Sequence, residues 1–364
     1  MGCCVSSTSD GRVIIKPKHF PEFQRGLPPM TDKVVAITGC TSGTGFICAS
    51  ACAELGAKVV LLNRSSERAD KAFEAVKALA QANQAPEPLS IPCDLLSFKS
   101  VREAGEKLNK FLAEEGLDVL CNNAGIMGYG DKATEDGCDI QMQTNHTSHF
   151  LLTYLCMPLL NKAAELRGEA RVVNHSSAAR KMDKPMSNTF DAKYADANGG
   201  NLGGDSNKAF KGANFQRYQQ TKLANVIFTY ALDERLQAKG SKVKALVAHP
   251  GVAPTQLASG TMKNGGMDDV KGMPSCIRKL AFSKLSHAEE DAAMGITLCC
   301  CKPDVKSREF YGPKGKKESD TSAHDASEYK GPAVLKQEEK LADKEAQAAL
   351  WAVSEKVTGI TFTV

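Results

Sequence analysis

From Lys33 onward the chain alternates short β-branched runs with longer stretches whose apolar residues recur at helical spacing. The pattern opens with a strand at Lys33 to Thr38 and a helix at Thr44 to Leu55. It continues with a strand at Lys58 to Leu62, a helix at Glu67 to Ala82, a strand at Leu89 to Pro92, a helix at Phe98 to Glu115 and a strand at Asp118 to Cys121. A long helix around Asp139 to Leu160, a strand at Arg171 to Asn174, a helix from Phe215 to Lys239 and a strand at Val243 to Ala248 follow. Such alternation predicts an α/β fold, a single doubly wound parallel sheet with right-handed crossovers and helices on both faces.

One domain from about Asp32 to Tyr311 accounts for the pattern, and three segments fall outside it. The arm 1–31 carries Pro17, Pro21, Pro28 and Pro29 and is expected to lie extended over the surface. The stretch 180–214 contains Gly199-Gly200 and Gly203-Gly204 and reads as an inserted flexible loop. The tail 312–364 is charged and ends in a predicted helix through Leu335 to Val357. Solvated connectors are the default reading for all three, and no internal repeat is evident.

Composition narrows the function. In 364 residues, hydrophobic residues make up 42% and charged residues 24%, ordinary values for a globular protein, and the net charge of +4 gives no footprint for a nucleic acid partner. No window approaches the ~18 apolar residues of a membrane span. The thirteen cysteines include Cys40, Cys48, Cys52, Cys93, Cys121 and Cys156 inside apolar segments, where a thiol acts as a small hydrophobe. Their odd number, the lack of paired C-x-x-C spacing and the missing secretory segment argue for reduced thiols and against a disulfide framework or a metal site. The run Cys299-Cys300-Cys301 reads as packing at a helix end.

The first strand runs into Thr38-Gly39-Cys40-Thr41-Ser42-Gly43-Thr44-Gly45 and then directly into a helix. A glycine-rich turn there lets backbone approach a pyrophosphate, whose charge sits at the positive helix N-terminus. Gly39 would supply the tight turn, Gly43 the close approach and Gly45 the contact between helix and strand, with Thr41, Ser42 and Thr44 completing the cradle. The fold expectation thereby sharpens to a Rossmann-type dinucleotide-binding sheet. After the second strand stands Asn63-Arg64, where an acidic residue would bond a free ribose 2′-hydroxyl; a cation there suits a 2′-phosphate and favours NADP(H). Asp94 and Leu95 are placed to contact the adenine, and Asn123, Ala124 and Gly125 to pack against the cofactor.

Tyr218 and Lys222 lie one turn apart on a helix-like stretch and share a face. A phenol of pKa about 10 is a poor acid or base at neutral pH, and a neighbouring ammonium would lower that value. Ser176 and Ser177 follow the fifth strand, and chemistry alone does not choose between them.

Together, Thr38-Gly39 to Gly45, Asn122-Asn123-Ala124-Gly125, Asn145, Ser176-Ser177, Tyr218 with Lys222, and His249-Pro250-Gly251 occur in an order that resembles the short-chain dehydrogenase/reductase family over roughly residues 32–311. Thr144-Asn145-His146, His149 to Leu152, Lys222 to Val226 and Leu350 to Ser354 look like its retinol dehydrogenase branch, and light-dependent protochlorophyllide reductases are similar too. The resemblance implies that Tyr218 gives or takes the proton, that Lys222 lowers its pKa and holds the nicotinamide ribose, and that Ser177 bonds the substrate oxygen. It further implies that Asn145 anchors a relay water and that Pro250, Gly251 and Val252 line the nicotinamide. Two departures stand out. The interval from Ser177 to Tyr218 is longer than usual in the family, and Val252 stands where the light-dependent reductases carry a cysteine.

Met1-Gly2-Cys3-Cys4-Val5-Ser6 matches the M-G-x-x-x-[S/T] signal for N-myristoylation, with two thiols open to palmitoylation. The sequence thus points to a cytoplasmic NADP(H)-dependent oxidoreductase for a lipophilic carbonyl or alcohol such as a retinoid, steroid or fatty aldehyde. It would be held at the cytosolic face of a membrane through Gly2, Cys3 and Cys4. A catalytically idle NADP(H)-binding scaffold or sensor and a tetrapyrrole reductase are the rival readings, and a homo-oligomer is left open.

Overall fold

The computed structural model describes residues 14–181, 189–206, 212–253, 286–315, 330–336 and 338–364. Strands β1 (Val34–Thr38), β2 (Lys58–Asn63), β3 (Leu89–Pro92), β4 (Val119–Asn122), β5 (Ala170–His175), β6 (Val243–Ala248) and β7 (Phe310–Pro313) pair in parallel, and β8 (Ala333–Leu335) closes one edge antiparallel. The order is β3-β2-β1-β4-β5-β6-β7-β8. Chain direction across the sheet therefore reverses between β1 and β4, which opens a crevice at the carboxyl ends of those strands.

Period-two alternation explains why both faces are covered. In β1, Val34 and Ala36 enter one core with Leu120, Val172 and Ala245, while Val35 and Ile37 enter the other with Val119, Val173 and Leu246. The first core is roofed by α4 (Phe98–Phe111), α6 (Ser148–Arg167), α7 (Ala213–Ala238) and α9 (Lys344–Thr358). The second is roofed by α2 (Gly43–Glu54), α3 (Glu67–Ala82) and α8 (Glu289–Cys301). Local signals set the ends: the Ser66 hydroxyl accepts from Ala69 N at the start of α3, and Gly168, at φ 87°, terminates α6.

Several expectations need correction. The predicted helix over 98–115 stops at Phe111. The long helix expected around 139–160 is interrupted: a single turn α5 (Ile140–Met142) leads into a π-helical turn, Gln143–Thr147, before α6 runs on to Arg167. Leu335, placed in a terminal helix, ends strand β8 instead, and α9 starts only after Asp343, whose carboxylate accepts from Ala346 N.

The three outlying segments are not plain connectors where they are described. The arm forms α1 (Phe20–Arg25) and is tied to α8, because the backbone N–H groups of Lys18, His19 and Phe20 converge on the Asp291 carboxylate at 2.9–3.0 Å. In 189–206 the Asp131 carboxylate accepts from the backbone of Gly200, Leu202 and Gly204, which fixes the glycine-rich stretch. The tail extends the sheet, then docks Leu350, Trp351 and Phe362 into the first core, with the Arg235 guanidinium 3.7 Å from the Trp351 ring centroid. Gly2, Cys3 and Cys4 lie outside the described residues, whose helices include none long and apolar enough to cross a membrane.

Candidate active site

The predicted residues gather at the carboxyl ends of β1, β4, β5 and β6. After β1, Gly39 adopts φ 70°, and a Cβ on it would stand 2.8 Å from Ala124 Cα. A Cβ on Gly45 would stand 2.2 Å from Asn123 Nδ2 and 2.5 Å from the Gly39 carbonyl oxygen. The missing side chains thus bring the turn and the first turn of α2 hard against the end of β4. Gly43, at φ 60°, opens α2; Ser42 makes no side-chain cap there and the first turn has no acidic residue. Free N–H groups at a helix start, approached by bare backbone, fit the pyrophosphate of a dinucleotide.

The turn is pinned from three sides. Cys40 N donates to Asn63 Oδ1 (2.7 Å), Thr44 Oγ1 to Asn123 Oδ1 (3.0 Å), and Arg68 Nη2 to Thr41 Oγ1 (2.8 Å). Arg64 is exposed just beyond β2. Sequence reasoning gave Asn63 no role of its own and missed Arg68, although Arg68 stands four residues after Arg64 in the first turn of α3, which was the available signal. Asp94 is half-buried and accepts from Leu96 N (3.0 Å), while Leu95 is buried.

At the end of β4, Asn123 N and Ala124 N both donate to Thr38 Oγ1 at 3.0 Å. Gly125 faces Asn145 and Lys222: a Cβ on it would meet Asn145 Oδ1 at 3.1 Å and Lys222 Nζ at 3.2 Å. Asn145, in the π turn, accepts from Ile126 N (2.7 Å) and donates to the Ile126 carbonyl and Thr221 Oγ1, each at 2.9 Å. These bonds tie the chain after β4 to the π turn and to α7.

The structure separates the two serines. Ser176 is buried and its Oγ donates to the Lys222 carbonyl (2.6 Å), whereas the Ser177 hydroxyl stands near the Tyr218 phenol and favours its ionised form. Lys222 Nζ donates to the His175 carbonyl (3.0 Å) and lies 5.9 Å from the Tyr218 ring centroid. Burial pushes the Tyr218 phenol up to about 12, opposed by the neighbouring Ser177 hydroxyl, and pushes Lys222 down to about 8. In the protein alone, desolvation of the phenolate outweighs the help it receives from Ser177.

After β6, Gly251 takes φ 73° and donates from its N–H to His249 Nδ1 (3.3 Å). His287, also missed, holds this turn by donating from Nε2 to the Pro250 carbonyl (2.7 Å) and from its backbone to the Val252 carbonyl (3.1 Å). Cys48, Cys121 and Cys300 Sγ atoms sit within 4.8 Å of one another in the second core, where Cys299-Cys300-Cys301 end α8.

A family model for short chain dehydrogenases matches residues 33–194. Retinol dehydrogenase 13 of Homo sapiens is 31% identical over 334 residues, which cover 90% of this chain and 85% of that protein. Polyprenol dehydrogenase of Homo sapiens is 34% identical over 63% of this chain and 63% of its own length, so the chain spans less than two thirds of that relative. The crystal structure of an uncharacterised protein from Mycobacterium paratuberculosis aligns with TM-score 0.65 at 28% identity, over 94% of this chain and 98% of that one. On the parallel sheet, the glycine turn and these relatives, the chain belongs to the short chain dehydrogenase family of oxidoreductases and to its retinol dehydrogenase-like branch.

Proposed function

We propose that the protein is an NADP(H)-dependent oxidoreductase that interconverts a carbonyl and an alcohol on a lipophilic substrate. The carrying observation is the Ser177–Tyr218 hydroxyl pair, set beside buried Lys222 at the open ends of the strands. In reduction, Tyr218 Oη gives its proton to the substrate oxygen, which Ser177 holds by a hydrogen bond; in oxidation the phenolate takes it back. A bound nicotinamide would supply or accept the hydride. Lys222, buried against the His175 carbonyl, is placed to bond a ribose and to stabilise the phenolate. Asn145 holds the chain after β4 in place and is the residue that would anchor a relay water. Arg64 and Arg68, both exposed beside the cradle, supply the positive charge that a 2′-phosphate requires.

The relatives' names, retinol and polyprenol dehydrogenase, support the lipophilic class. The Met1 to Ser6 sequence supports lipid attachment through Gly2, Cys3 and Cys4, which would keep the site near a bilayer where such substrates concentrate. The test is NADPH consumption with retinal, steroid ketones and medium-chain aldehydes. Turnover of at least one lipophilic carbonyl supports the reading. Tight NADPH binding with no turnover across the panel leaves the idle scaffold.

A further inference from the structure

Three elements distant in sequence meet behind Ser177. Arg180, in the short 3-10 turn Ala178–Lys181, is 2% exposed, and its Nη1 donates to the Ser177 carbonyl (3.1 Å) while its backbone N–H bonds the same oxygen (3.3 Å). Its Nε donates to Glu339 Oε2 (2.7 Å), and its guanidinium carbon lies 4.5 Å from the Phe310 ring centroid. Glu339, from the segment after β8, is itself 4% exposed, takes Lys181 Nζ at 3.2 Å as a second cation, and donates from its backbone N–H to the Tyr230 hydroxyl (3.0 Å). Tyr230 stands on α7, the helix that carries Tyr218 and Lys222.

A chain of contacts therefore runs from α7 through Glu339 and Arg180 to the backbone of the one serine that faces Tyr218. We infer that Glu339 is a positioning residue for the reaction, which through Arg180 fixes Ser177 relative to the Tyr218 hydroxyl; this rests on the roles of Ser177 and Tyr218 proposed above. Arginine suits the task because its planar fork can bond a carboxylate and a carbonyl together while its face lies on an aromatic ring. A salt bridge needed only to hold two surfaces together would not have to reach the Ser177 carbonyl. Arg180, Lys181 and the Leu341 N–H face the Glu339 carboxylate, and against the upward push of burial they hold it below the usual range.

The consequence is readable in the phenol. Ser177 opposes the upward push on Tyr218, so releasing Ser177 moves the pH dependence of turnover toward higher pH. The experiment compares wild type, Glu339→Gln, the double variant Arg180→Met with Glu339→Leu, and Ser177→Ala, in full-length protein with NADPH and one reducible carbonyl. Glu339→Gln should lower kcat about tenfold or more, raise the pH at which kcat changes, and leave NADPH affinity within a few-fold. The double variant replaces a buried pair by apolar side chains, which restores thermal stability in many proteins. It should recover the melting temperature while kcat stays low. Wild-type kcat and pH profile in that double variant overturn the inference, because the pair then only stabilises the fold. Turnover that survives Ser177→Ala overturns instead the proposed role of Ser177; loss in Ser177→Ala with unaltered Glu339→Gln overturns the positioning alone.

Discussion

The Thr38 hydroxyl lies 2.9 Å from His149 Nε2, and that contact joins the end of β1 to the first turn of α6. Thr38 Oγ1 already accepts from Asn123 N and Ala124 N, so its proton goes to a further acceptor, and bare His149 Nε2 at 2.9 Å is closer than the Cys121 carbonyl at 3.5 Å. The ring proton is then on Nδ1, where it is donated to the Asn145 carbonyl (3.1 Å). One neutral imidazole therefore sets the distance between the end of β1 and Asn145.

That chain fails when the ring gains a proton. Burial lowers His149 to about 4 and both His146 and His175 to about 3, against an ordinary value near 6.5. Below about pH 6.5 the unfolded chain binds protons that the folded chain refuses, so stability should be full above that pH and fall as pH drops from about 6.5 to 4. Each of the three can contribute a slope of up to about 1.4 kcal/mol per pH unit. Urea midpoints at pH 7.5, 6 and 5 check this, and His149→Phe should flatten the dependence; a midpoint constant over that range refutes it.

Tyr218→Phe should reduce turnover by at least about a hundredfold and leave NADPH affinity within a few-fold, since only the transferable proton is removed. Lys222→Ala should damage both. NADPH absorbance with a good substrate, and cofactor titration by fluorescence, separate the two effects.

Arg64→Ala should weaken NADPH about tenfold, the equivalent of one charge-assisted bond, with NADH unaffected. Arg68→Ala should weaken both cofactors, because it also frees Thr41 in the turn. Equal binding of NADH and NADPH by wild type would remove the preference altogether.

Gly45→Ala probes the cradle without altering charge. A methyl 2.2 Å from Asn123 Nδ2 and 2.5 Å from backbone must displace one of them, at a cost of about 1–3 kcal/mol. Loss of dinucleotide binding and a lower melting temperature are expected together. An unchanged dissociation constant would mean that the turn does not meet the pyrophosphate.

Fractionation of cells tests the lipid tether. One acyl chain binds membranes only marginally, so Cys3→Ser with Cys4→Ser should release part of the protein and Gly2→Ala more of it, with turnover of a water-soluble carbonyl unchanged. The same distribution for wild type and Gly2→Ala would end the idea.

Much of this arrangement could be read in advance. Strands such as Val34–Thr38 and Val243–Ala248 announce themselves because apolar β-branched residues on both faces need two cores, and the glycine turn needs no tertiary contact to be recognised. What stayed hidden depends on partners far along the chain. Ala333–Leu335 is too short to declare itself a strand without β7 beside it. Ser176 and Ser177 differ only in what they face, the Lys222 carbonyl or the Tyr218 hydroxyl. The Arg180–Glu339 pair, and His287 on the Pro250 carbonyl, are long-range choices that local pattern does not encode.

The π turn at Gln143–Thr147 constrains how this part of the chain can change length. Its i→i+5 bonding amounts to one residue inserted in an α-helix. Deleting any one residue there would let the segment relax to α-helix and rotate all that precedes it by about 100° relative to α6. Gln141, whose amide donates to the Asn214 carbonyl (3.0 Å), would swing off α7, and Asn145 would lose Ile126 while His149 kept Thr38. The number of residues between Asp139 and His149 cannot vary: this stretch acts as a fixed ruler, and natural insertions or deletions should fall elsewhere.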